Sequence, residues 1–246
     1  MEADFYKIFF DNSLEMLCIA SPNGYFMELN PSWERTLGYS IKELKEKPFI
    51  DFVHPDDVQK TIEETKKLGT GESDYQTIQF INRYKCKSGE YKWILWNSST
   101  KDGIILAAAR DISEIKESEQ TLKEMGEYAK VGTWRLDVES MDTFWNEQTY
   151  KIHELEIGSP TNTTTSINYY SPEAQIEITQ CITDAIEKGK PFDVELPFKS
   201  AKGKKMWVRS IGHPIFENGK VVELKGAIQD ISERKFAEIS LEIEKF

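Results

Sequence analysis

The stretch Ala109-Arg110-Asp111-Ile112-Ser113-Glu114 returns as Ile228-Gln229-Asp230-Ile231-Ser232-Glu233, with the aspartate shifted by 119 positions. Three further landmarks recur in the same order at nearly that offset. Lys87-Ser88-Gly89, with Trp93 four residues after the glycine, recurs as Ala201-Lys202-Gly203 with Trp207. Asn30, just ahead of Trp33, recurs as Asn146, and His54-Pro55-Asp56-Asp57 recurs as Ser171-Pro172-Glu173-Ala174. A period this long marks two copies of one domain, not a solenoid of short repeats.

Each copy reads the same way outward from these landmarks. In the first, 16–20 and 25–29 are short apolar strands joined by the turn Pro22-Asn23-Gly24. Asn30-Pro31 predicts an N-cap followed by proline at the first helical position. Short helical turns are expected over 41–53, then a longer helix from Pro55 to about 68 with Asp56 and Asp57 at its positive end. Strands follow at 75–86, 91–99 and 104–112, separated by Lys87-Ser88-Gly89 and Lys101-Asp102-Gly103.

The second copy predicts strands at 133–138 and 143–145, a polar loop at 158–165, and a long helix over 173–188. Ile178, Cys181, Ile182 and Ala185 share one face of that helix. Its last strands are 192–199, 205–213 and 220–230. Phe192, Val194, Leu196 and Phe198 form one inward row, and Val222, Leu224, Gly226 and Ile228 another. The fold class is therefore α+β: two domains, each a five-stranded antiparallel sheet with helices covering one face. The expected boundaries are 1–113 and 130–232 for the domains, a helical linker at 114–129, and the start of an exiting helix at 233–246.

Composition narrows the partners. Of 246 residues, 39% are hydrophobic and 12% aromatic, enough for two cores. The net charge of −11 repels phosphate backbones and anionic lipid heads, so no nucleic-acid and no membrane partner is expected. Cys18, Cys86 and Cys181 are odd in number and far apart, unlike a disulfide framework or a metal knuckle. No metal site is expected. The start lacks a basic-then-apolar leader, and no apolar run approaches the ~18 residues that span a bilayer. A cytoplasmic location is expected.

At this point the residues resemble the PAS family, in both copies. Asn30-Pro31-Ser32-Trp33 with Leu37-Gly38-Tyr39-Ser40 is similar to the family's first helix, and His54-Pro55-Asp56-Asp57 to the start of its long helix. Arg83 through Trp93 is similar to its strand–turn–strand, and Asp111-Ile112-Ser113 and Asp230-Ile231-Ser232 to its Asp-Ile-Thr signature. The second copy departs more, with Ser-Pro-Glu-Ala and an extra loop. The resemblance implies a sensory module without catalytic residues, such as the input region of a bacterial histidine kinase. It implies that a small ligand or partner in the cleft between helices and sheet shifts a helix leaving the last strand, toward a downstream effector domain. The alternatives are a passive dimerisation or adaptor module with filled cores, and a non-covalent flavin redox or light sensor. The family's haem branch places a histidine in the long helix and its blue-light branch a cysteine before it. Residues 57–68 and 173–188 contain no histidine, and 49–53 and 167–171 no cysteine, which disfavours haem and covalent flavin. The cofactor is otherwise unknown.

Inward positions supply the ligand-pocket candidates for a small apolar or flat ligand: Trp33, Phe52, Ile78, Phe80, Trp96, Ala107 and Ala109 in the first copy. In the second they are Tyr150, Leu196, Val208 and Ile228. The same residues serve a filled core equally, since domains of this size need their aromatics to fold. Asp111, Ser113, Asp230 and Ser232 are the candidates for signal transmission, each pair able to partner backbone where strand becomes helix. Ile115, Ser118, Leu122, Met125 and Ala129, then Phe236, Ile239, Ile243 and Phe246, repeat at heptad spacing. These stripes favour a homodimer through helices. His54, His153 and His213 are read as structural or surface residues.

Overall fold

A computed structural model describes residues 2–69 and 76–243, with side chains over 5–68 and 80–241. The chain forms two compact units, Met1–Gln120 and Thr121–Phe246. The first runs α1 (Glu2–Asn12), β1 (Met16–Ala20), β2 (Phe26–Leu29), α2 (Ser32–Leu37) and α3 (Ile41–Lys45). Two 3₁₀ turns follow, then α4 (Val58–Gly69), β3 (Gln76–Lys85), β4 (Tyr91–Lys101) and β5 (Ile104–Asp111). Helix α5 (Ser113–Tyr128) comes next. The second unit continues with β6 (Val131–Asp137), β7 (Thr143–Trp145), α6 (Glu147–His153), α7 (Thr163–Ile167) and α8 (Pro172–Lys188). It ends with β8 (Phe192–Lys199), β9 (Lys205–Glu217), β10 (Lys220–Asp230) and α9 (Ser232–Ile243).

Both sheets are five-stranded and antiparallel, in the order β2-β1-β5-β4-β3 and β7-β6-β10-β9-β8. The final strand of each unit lies in the middle, because it pairs with the first strand on one side and with its own hairpin partner on the other. Gly89 (φ 98°) and Gly203 (φ 88°) make the hairpin turns, in a left-handed conformation that an L side chain strains to adopt. Helices pack on one face. In the first unit the core gathers around Trp33, fully buried against Phe26, Tyr84 and Trp96. In the second it gathers around Leu136, Ala185, Val208 and Leu224.

Four sequence expectations change. Asn30 does not cap α2; Pro31 occupies that position without a side-chain bond. Asn30 turns back instead. Its Oδ1 accepts from Leu17 N at 3.0 Å, and its Nδ2 donates to Phe10 O and Glu15 O. Asn146 does cap its helix, accepting from Thr149 N, and it also takes Thr133 N. The loop at 158–165 contains the start of α7, set by an Asn162–Thr165 capping box. Val222 leaves the inward row, because a bulge between Val221 and Glu223 turns Val221 toward the core. Helix α1 was not foreseen, and Phe5, Ile8 and Phe9 on it are exposed.

One row of cross-strand neighbours runs through all five strands of the second sheet: Trp145, Trp134, Gly226, Gly212, Phe192. The rings of Trp134 and Phe192 occupy the space that Cβ atoms on Gly226 and Gly212 would need. A Cβ on Gly226 would lie 2.0 Å from Ile211 O and 2.3 Å from the Trp134 ring. Gly226→Ala is therefore expected to cost about 2–3 kcal/mol by overpacking, measured by denaturant unfolding. A cost below about 0.5 kcal/mol would show that the row relaxes freely.

Candidate functional site

The corresponding row of the first sheet is also narrow at its centre: Leu29, Cys18, Ala107, Ser98. Small residues mid-sheet hold no bulk toward the helices above, and a cavity opens over each row. The first has a volume of about 50 Å³, with Cys18, Ala107 and Ser98 below it and Thr61, Thr65 and Leu68 of α4 above. The second measures about 60 Å³, between Trp134 and Phe192 of the sheet and Ile178 and Ile182 of α8.

Of the expected pocket residues, Phe80, Trp96 and Ala107 line the first cavity and Ile228 the second. Trp33, Phe52 and Ala109 pack in the first core away from the cavity wall, as do Leu196 and Val208 in the second. Tyr150 is buried too; its hydroxyl donates to Ser159 O and its ring meets Trp145 edge-on. The Ile78 side chain lies outside the described residues. An engineered apolar cavity of about 150 Å³ binds benzene, and both cavities are smaller than that.

Polar wall residues were not legible in the sequence. In the first cavity Asn82, buried on β3, donates to Thr61 Oγ1 at 3.0 Å and accepts from Trp96 Nε1 at 2.8 Å. Thr61 in turn donates to Asp57 O. Burial pushes the Cys18 thiol beneath this network up to about 12, so it stays protonated. The second cavity has His153. Its Nδ1 lies 2.8 Å from Thr149 O, and its ring lies 4.0 Å from Trp145 and 4.9 Å from Phe198, centre to centre. A carbonyl only accepts, so Nδ1 carries the proton. Helical spacing alone presents His153 as one more residue at the end of α6. Only the fold closes Trp145, Tyr169 and Phe198 around it.

The strand-to-helix junctions are built alike. Asp111 Oδ1 accepts from Ser113 N, while Ser113 Oγ accepts from Trp93 N, both at 2.9 Å, and Ile112 N donates to Trp93 O. Burial raises the Asp111 carboxyl, but hydrogen bonds from Lys92 and Ser113 outweigh it and hold the group below its ordinary value. In the second unit Asp230 Oδ1 accepts from Ser232 N, and Ser232 Oγ from Trp207 N, both at 3.0 Å; Ile231 N donates to Trp207 O.

What surrounds the two tryptophans differs. Arg83 stacks over Trp93 with its guanidinium carbon 5.1 Å from the ring centre, and is forked by Asp57 in the 3₁₀ turn just before α4. That hydrogen-bonded fork, with the backbone bond from Arg83, lowers the Asp57 carboxyl against the opposing effect of burial. The strand position opposite Trp207 holds Pro197, and the cation over the indole is Lys235 from α9, 5.4 Å from the ring centre. Glu195 of β8 accepts from Lys235 and Arg234, so α9 is tied to the sheet edge.

A family model described as the PAS fold matches residues 26–102 and 142–228, more than half of the chain. Among curated proteins, the uncharacterized protein y4lL of Sinorhizobium fredii is 29% identical over 89% of this chain and 28% of its own length. The probable diguanylate cyclase DgcE of Escherichia coli is 23% identical over 92% of this chain and 22% of its own. The chain thus spans about a quarter of the length of these relatives. Among solved structures, a sensory box histidine kinase/response regulator from Burkholderia thailandensis is 19% identical with a TM-score of 0.44. That match covers 50% of this chain and 94% of the other. The N-terminal domain of a diguanylate cyclase with PAS/PAC sensor from Marinobacter aquaeolei is 20% identical with a TM-score of 0.41, covering 43% and 98%.

His153 makes the second unit sensitive to acid. Burial lowers its pKa from 6.5 to about 4. The unfolded chain takes up this proton near pH 6.5 and the folded one only near 4, so stability is lost as pH falls through that window. The loss amounts to about 3 kcal/mol. Urea unfolding at pH 7 and pH 4.5 is expected to show a steeper decline for the wild type than for His153→Gln. Equal slopes would mean that the imidazole is not held neutral by burial.

Proposed function

This chain belongs to the PAS fold family, and on that premise we propose that it is the sensory part of a signalling protein. A small molecule or partner engages the clefts over the sheet rows, and the change passes through the two junctions into α5 and α9. The observation that carries this reading is the duplicated junction. In each unit the central strand ends in an Asp-Ile-Ser turn whose serine holds the backbone of the neighbouring strand's tryptophan. Movement of the sheet near the cavity thereby bears on the root of the helix. The Asp57–Arg83–Trp93 contact gives the first unit a second link, from α4 above the cavity to the same tryptophan.

Outward-facing Ile115, Leu122 and Met125 on α5, and Phe236 and Ile239 on α9, support a homodimer through these helices. Two effector classes fit: the histidine kinase expected from the sequence, and a diguanylate cyclase, the name one relative carries. A cytoplasmic location fits with the finding that, among the described residues, no helix is long and apolar enough to cross a membrane.

Mass spectrometry of the denatured chain is expected to release a retained small molecule, and amide exchange in α5 and α9 to differ between loaded and stripped protein. No released molecule, with helices indifferent to every added ligand, would leave a dimerisation module instead. Ser113→Ala and Ser232→Ala are each expected to cost about 1–2 kcal/mol, since each orphans a tryptophan N–H. Exchange should quicken first in the opening turn of the matching helix. Unchanged protection there would detach the junction from the transmission route.

A further inference from the structure

The second cavity holds an unanswered polar group. Among the described residues, the buried side-chain oxygens or nitrogens without a hydrogen-bond partner are Thr100 Oγ1 and Thr143 Oγ1. Thr100 is on neither cavity wall described above, whereas Thr143, on the edge strand β7, lines the second cavity. Its polar neighbours there are already engaged. Thr149 Oγ1 donates to Thr133 O, Thr163 Oγ1 to Met141 O, and Ser166 Oγ to Asn162 O. In the first cavity Thr61, Asn82 and Trp96 satisfy one another.

The second cavity also lacks charge. No Asp, Glu, Lys or Arg is among its described lining residues; of its two titratable rings, burial raises Tyr170 to about 12, so it stays protonated, and His153 donates through Nδ1 to Thr149 O. A neutral imidazole bonded in that way keeps an unprotonated Nε2, which accepts. An ion entering this space meets no counter-charge and loses its hydration, whereas a neutral amide or alcohol loses far less. Size sets a further limit. At about 60 Å³ the cavity is smaller than the roughly 150 Å³ of an engineered cavity that holds benzene, so a ligand of a few heavy atoms suits it.

We propose that the cavity over the Trp134–Gly226–Gly212–Phe192 row takes a small uncharged ligand bearing an amide or hydroxyl, which pairs with Thr143 Oγ1. The inference rests on the sensory reading above and adds which unit accepts a ligand and of what chemical class. It explains why a buried hydroxyl is kept where valine would fill the same space. The ring-over-glycine row supplies the flat apolar floor.

The test uses isosteric probes, acetamide and acetate, titrated into the isotopically labelled 246-residue chain and followed by amide resonances. Acetamide is expected to shift Thr143 and His153 saturably, at least about tenfold more tightly than acetate, because the carboxylate must be desolvated unpaired. Thr143→Val is expected to weaken acetamide by about fivefold or more, with Tm unchanged or raised, which separates loss of binding from loss of fold. Equal affinity for the two probes, binding that survives Thr143→Val, or no saturable shift at Thr143 (a water as its only partner) would each overturn the proposal. Saturation at Thr143 without any change in α9 exchange would leave the site standing and sink the sensory reading instead.

Discussion

Both units depend on one hydrogen bond, from the backbone N–H of a tryptophan to the hydroxyl of a serine beyond the end of the central strand. Where the central strand stops, its neighbour β4 or β9 continues, and a ladder donor is left without a carbonyl opposite. Ser113 and Ser232 take that donor. Asp111 and Asp230 hold the serine by its own N–H, which turns the chain out of the sheet and into a helix. An unpaired N–H here would cost the desolvation of a buried donor. The direction in which each helix departs is therefore fixed by the sheet it leaves.

The sheet in turn is shaped by what it omits. Small residues at the centre of a five-stranded surface leave the helices without a floor of side chains. The two units answer that gap differently. In the first, Asn82 bridges Thr61 of α4 and Trp96 of β4, so a polar network spans the space and ties helix to sheet. In the second, Trp134 and Phe192 lie near-parallel across two glycines, with ring centres 6.2 Å apart. The first arrangement is internally satisfied; the second is apolar below and leaves Thr143 unpartnered at its rim.

The cations over the junction tryptophans extend the contrast. Arg83 belongs to a strand and is forked by Asp57, which ends the 3₁₀ turn leading into α4, so the indole senses the helix above the cavity. Lys235 belongs to the departing helix itself and is held by a strand carboxylate. Duplication preserved the backbone of the junction while its side-chain wiring diverged. A cation over an indole contributes about 0.5–2 kcal/mol, depending on exposure, comparable to the hydrogen bond beneath it.

By itself the sequence determined the duplication, the order of the strands and the long helix within each copy, the hairpin turns at Gly89 and Gly203, and the inward alternation of Phe192 through Phe198. Each of these is written in local spacing: period two for a half-buried strand, a glycine where φ turns positive, an Asp-x-Ser at a strand end. Only the tertiary structure decided which polar groups meet. Asn30 reads locally as a cap, yet the fold delivers Leu17, Phe10 and Glu15 to it from earlier in the chain, and those partners win. The bulge at Val221 shifts a strand by one residue, and period two then reverses which side chain faces in. Burial of His153 and the unmet hydroxyl of Thr143 depend on segments far from β7 closing over it. Distance along the chain carries no record of that closure, because packing energy is settled by neighbours in space.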